Sequence, residues 1–208
     1  MKSKPIKTCV LQGGIRGVGR VSNNGTERYL LEANSSTGYV AWKTADGTIL
    51  VSEAAQVSLR AGPSIEFWSC AGYQDTMQEG NITAFDCHGC GLTQVDVTGL
   101  VYLEKLDCSF NRLRKLNLTG LRELQVLDVE GNQLAALGVG DLSALRVFNC
   151  AANRLTKLDL SGLGALQVVD CSNNRLKLIR HTGCSSLMDF RSDGNPEHIA
   201  PRKPNITS

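Results

Sequence analysis

From Ile82 onward the sequence repeats every twenty-one residues, and no other feature limits the fold so tightly. Segments start at Ile82, Leu103, Leu124, Leu145, Leu166 and Leu187 without insertion or deletion, and the last is degenerate. The shared pattern is L-x-x-L-D-C-x-x-N-x-L-x-x-L-x-L-x-G-L-x-x. One segment cannot bury its own leucines, so neighbours must stack into a quasi-one-dimensional solenoid. In "LEKLDC" the first, fourth and sixth residues point inward, while the third and fifth face the other way as a strand demands. Each turn then adds one parallel strand at a spacing of ~4.8 Å.

This pattern resembles the leucine-rich repeat in its short bacterial form, the 21-residue IRREKO type, in which two L-x-x-L-x-L halves are nested in each turn. The resemblance covers residues 82 to about 195 and implies a broad face for protein recognition. It also implies a role for the column Asn111, Asn132, Asn153, Asn174 and Asn195: their amides bond backbone groups of adjacent turns. The expected class is therefore mainly β, a parallel β ladder of 21-residue turns preceded by a small β-rich capping domain.

Two columns would face out from the ladder. The third positions are Ala84, Lys105, Val126, Val147, Val168 and Asp189, an apolar stripe centred on three valines. The fifth positions are Asp86, Asp107, Asp128, Asn149, Asp170 and Arg191. Like charges stacked at strand spacing repel, so a partner bringing cationic or hydrogen-bond-donating groups would relieve them. Partner binding is accordingly expected on the concave face, at Lys105, Asp107, Val126, Asp128, Val147, Asn149, Val168 and Asp170. Arg112, Arg154 and Arg175 align at the tenth position and are read as a solvated flank. Neither a helix-turn-helix nor an RNA-recognition signature accompanies them.

Eight cysteines raise zinc and redox chemistry. Register answers for most of them. Cys87, Cys108, Cys150 and Cys171 share the sixth position with Val129, so the column behaves as a small apolar core site. Cys184 takes an inward leucine position, and Cys90 stands in the asparagine column. "DCHGCG" holds Cys87-x-x-Cys90 around His88. No second C-x-x-C completes a zinc set, and no metal or cofactor is expected. Cys9 and Cys70 follow no repeat rule and are the candidates for a disulfide to another chain.

The rest of the chain reads as flanking structure. Residues 1–20 form a polar arm whose "GGIRGVGR" lacks the Lys-Ser/Thr of a phosphate loop. Residues 21–81 carry short strand patterns, "RYLLEA", "YVAWKT", "TILVS", "QVSLR" and "IEFWSC", with Asp46-Gly47 as a hairpin signal. Residues 82–195 are the solenoid, and 196–208 a proline-bearing tail.

A net charge of +2 over 208 residues argues against binding nucleic acid or a membrane surface by charge alone. There is no apolar stretch long enough to span a bilayer and no signal-peptide core. The three histidines fall in separate turns or the tail, with no convergent nucleophile, so an enzyme and a small-molecule substrate are not expected. The expected function is protein–protein interaction within a larger assembly, such as a phage virion decoration, collar or tail component. The alternative is a bacterial surface or effector protein that binds a host or neighbouring protein through its concave sheet.

Overall fold

The computed structural model describes residues 82–196 throughout and, ahead of them, the backbone of six strands. These are β1 (Gly19–Ser22), β2 (Tyr29–Ser35), β3 (Tyr39–Thr44), β4 (Ile49–Glu53), β5 (Gln56–Leu59) and β6 (Ser64–Cys70). In the solenoid, each turn opens on a short strand: β7 (Ile82–Asp86), β9 (Lys105–Asp107), β10 (Val126–Asp128), β11 (Val147–Asn149), β13 (Val168–Asp170) and β15 (Asp189–Arg191). They pair in parallel, with equivalent residues in register across every step. A second layer is thinner. It holds β8 (Gln94–Asp96), β12 (Lys157–Asp159), β14 (Leu178–Arg180) and one bridge between Asp96 and Asn117. The third turn contributes no strand there, where Gly138 and Gly140 interrupt the pattern.

The interior is a set of stacked columns. First-position residues Ile82, Leu103, Leu124, Leu145 and Leu166, and fourth-position residues Phe85, Leu106, Leu127, Phe148 and Val169, are no more than 2% exposed. The leucines of the second half-turn close on them to give one continuous core. This is the expected consequence of turns that are unstable alone but share apolar surface with their neighbours.

Backbone polar groups at the strand ends are satisfied by the asparagine column. The Asn132 carbonyl oxygen accepts from the Leu113 N–H of the preceding turn at 2.9 Å. Its amide donates to the carbonyls of Cys108, Val129 and Glu130 at 2.9–3.2 Å. Asn111, Asn153, Asn174 and Asn195 repeat the bond to the preceding turn. The eighth position of each turn adopts a left-handed conformation: φ is 64° at Gly89, 53° at Phe110, 65° at Gly131, 53° at Ala152 and Asn173, and 72° at Gly194. That conformation reverses the chain out of the strand. It costs ~1–2 kcal/mol for a residue bearing a Cβ.

The strands in front cover the first edge of both layers. β2 pairs antiparallel with β7, and β1 pairs antiparallel with β8. β5 extends the first sheet beyond β2, while β6, β3 and β4 extend the second beyond β1. The sequence anticipates five of these six strands. β1 begins at Gly19, inside the stretch read as an arm.

Candidate functional site

The ladder face is built by strand register. Ala84, Lys105, Val126, Val147, Val168 and Asp189 are successive Cα partners, as are Asp86, Asp107, Asp128, Asn149, Asp170 and Arg191. Lys105 and Val147 are exposed, Val147 by 37%, whereas Val126 and Val168 are half-buried between their neighbours. The three valines are therefore an apolar centre flanked by Lys105 on one side and Asp189 on the other.

The acidic column does structural work with one of its oxygens. Oδ1 of Asp86, Asp107, Asp128 and Asp170 accepts the backbone N–H two residues later, and Ser109 and Ser172 add their hydroxyls. These turns carry the chain from the strand into the left-handed residue, a job suited to Asp and Asn. Asn149 serves the same turn through its carbonyl and donates its amide to Asp128 Oδ2 and Glu130 Oε2 at 3.1 and 2.9 Å. Burial pushes the Asp128 carboxyl above the usual carboxylate range. The Glu130 N–H and the Asn149 amide pull it down, and the Asp107 charge adds to the rise.

Asp86, His88 and Asp107 each offer one ligand atom, all within 4.8 Å of one another. The His88 ring lies 2.8 Å from Asp86 Oδ1, the same oxygen that receives the His88 backbone N–H. Three such donors are one fewer than a structural zinc site takes from protein and equal to the number in a catalytic one. A surface recess of about 220 Å³ lies where the second layer is interrupted, lined by Asn117, Thr119, Gly138, Gly140 and Asp141 among others.

The thiols point away from redox or metal chemistry. Cys87, Cys108, Cys150, Cys171 and Cys184 are free thiols, and the first four are fully buried. Burial is the leading cause that raises the pKa of each, to about 12 for Cys171. They are protonated donors: Sγ of Cys87, Cys108 and Cys171 lies 3.2–3.7 Å from a carbonyl of the next turn. Cys90 is buried, its Sγ 3.4 Å from the His88 carbonyl. Cys9 and the Cys70 side chain lie outside the described residues, as do residues 1–18 and 197–208.

Parallel turns of this length with nested leucine halves define a leucine-rich-repeat solenoid. Among solved structures, the functional domain of InlJ from Listeria monocytogenes, described as including a cysteine ladder, is 34% identical over 54% of this chain, with a TM-score of 0.53. The match covers 25% of that chain, so this protein aligns with about a quarter of its length. No protein-family model and no curated protein matches the sequence. Among the described residues, no helix is long and apolar enough to cross a membrane.

The sequence foresaw both ladder columns and the packing of the thiols. It missed the eighth-position reversal, although Gly89, Gly131, Gly194 and Asn173 signal it. It also missed the carboxylate turns and the Asp86–His88 contact, because spacing within a segment does not show which way a side chain folds back.

Proposed function

We propose that the protein is a non-enzymatic interaction module that binds a partner protein through its ladder face. The observation that carries this reading is the in-register surface itself. A central strip of Val126, Val147 and Val168 runs beside carboxylates that keep one oxygen outside their turns. Such a face suits a partner that presents an apolar ridge flanked by cationic or hydrogen-bond-donating groups. The absence of enzymatic activity is part of the proposal. It is supported by thiols that are buried and protonated, and so are no nucleophiles.

Two settings suit such a module. Recognition of a host or neighbouring protein through the sheet draws on the described face and on the likeness to a bacterial solenoid. Incorporation into a virion draws on the polar residues 1–18 and the tail, of which 197–208 and all of 1–18 lie outside the described residues.

Site-specific photocrosslinking separates the ladder face from the other surfaces. A crosslinker replacing Val147 is expected to capture a partner in the native host, whereas one replacing Arg154 or Arg175 is not. Capture only from the arginine positions would overturn the assignment. Val147→Glu should also abolish binding while leaving the melting temperature close to that of the unaltered chain.

A further inference from the structure

We propose that two copies of this chain join end to end through the last turn of the solenoid, with β15 pairing antiparallel with β15 of the second copy about a two-fold axis at Phe190. The interface uses the end strand of the ladder, not its valine centre, and does not depend on the function proposed for that centre.

The last turn departs from its predecessors in three ways. Its core is half-open: Leu187 and Phe190 are only partly buried, whereas their equivalents in the five earlier turns are no more than 2% exposed. Ile179 and Cys184 beneath them are likewise partly buried. Met188, 71% exposed, stands where the other turns place Thr83, Glu104, Gln125, Arg146 and Gln167. The charge pattern also changes, with Asp189 in the column of the valines and Arg191 in the column of the aspartates. Among the described residues no strand pairs with the outer edges of β15 or β14.

The sequence of β15, Asp189-Phe190-Arg191, is self-complementary in one arrangement. With Phe190 opposite its own copy, Asp189 faces Arg191 of the second copy and Arg191 faces its Asp189, giving two opposite-charge pairs directly across the strands. Within one chain Arg191 Nη2 already lies 3.1 Å from Asp189 Oδ2, so the dimer would close a four-membered ring of alternating charge. Antiparallel pairing onto an end of the solenoid already occurs at its opposite end, where β2 meets β7 and β1 meets β8. A two-fold contact uses the same edge on both copies and so leaves neither β15 edge free, which closes the assembly at two copies rather than a filament.

Sedimentation velocity of the full 208-residue chain over a concentration series tests the proposal. A monomer–dimer equilibrium is expected. Arg191→Asp should weaken it by about tenfold or more, since it sets like charges opposite each other twice. The double exchange Asp189→Arg with Arg191→Asp should restore it to within about threefold, as opposite charges face each other again. Circular dichroism checks that each variant is folded. Should Arg191→Asp fail to fold, the pair Asp189→Cys with Arg191→Cys keeps the question open to experiment. On oxidation it should give a covalent dimer, because directly opposed residues come within disulfide reach. Three results overturn the inference: a chain monomeric to about 1 mM, a dimer indifferent to the charge at residue 191, or growth beyond two copies.

Discussion

Asn132→Ala isolates the bonds that tie one turn to the next. The side chain makes four hydrogen bonds, but their loss is unequal. The Cys108 carbonyl keeps the amide of Asn111 at 3.0 Å, and the Val129 carbonyl keeps that of Asn153 at 2.8 Å. The Leu113 N–H has Asn132 Oδ1 as its acceptor and is left buried without one. An orphaned buried donor costs ~1–3 kcal/mol, and the weakened carbonyls bring the total to roughly 2–3 kcal/mol. For a chain of this size that corresponds to a fall in melting temperature of about 5–10 °C. Asn132→Asp should cost more, since it keeps the acceptor but aims a charge at three carbonyl oxygens. The assay is calorimetry, with partner binding measured alongside. Because Asn132 sits in the loop beyond the ladder face, binding by the folded fraction should not change. A melting temperature within about 1 °C of the original would refute the reasoning.

Cys150→Val should alter stability by less than about 1 kcal/mol, because Val129 already fills the same column. In the native protein the Cys87, Cys108, Cys150 and Cys171 thiols should resist alkylation until denaturant is added, and labelling at the rate of a free thiol would contradict their burial. Gly131→Ala should destabilise by more than the ~1–2 kcal/mol of a left-handed alanine, since its Cβ would lie 2.7 Å from the Phe110 ring. Adding Phe110→Ala should recover the excess alone, which a double-mutant cycle in urea would measure. The raised pKa of Asp128 means that the folded chain holds that proton more tightly than the unfolded chain. This residue's contribution to stability should therefore fall as pH rises from the usual carboxylate pKa through the higher folded value. Asp128→Asn should remove that component from a pH series of melting curves, and identical slopes would count against it.

Much of the solenoid is legible in the sequence because its register is local. A twenty-one-residue spacing that never slips puts Leu103 beneath Leu124 and Asn111 beneath Asn132, so column membership can be counted off. The presence of Val129 among cysteines was enough to mark that column as packing. What the sequence concealed depends on contacts outside the repeat. Nothing in "GRVS" announces a strand, since β1 is defined by pairing with β6 and β8, far away in the chain. The aspartates looked like an exposed acidic strip, yet half of each carboxylate is engaged in its own turn. Phe110 gives no hint that it adopts a left-handed conformation, because the conformation belongs to the position and not to the residue. The unusual last turn could be read from Met188, Asp189 and Arg191, but only once the preceding turns were known to be covered.

The central claim is that equivalent residues stack one strand spacing apart. Glu104, Gln125, Arg146, Gln167 and Met188 form a continuous chain, each N–H donating to the carbonyl of the residue before it at 2.8 Å. Double electron–electron resonance between nitroxides at Glu104→Cys and Met188→Cys measures that stack directly, in a Cys9→Ser, Cys70→Ser background diluted with unlabelled protein. Four strand spacings put the two backbone sites ~19 Å apart. A single narrow distribution near that distance is the expected result, and one centred beyond about 30 Å, or spread without a peak, would contradict the stacked solenoid.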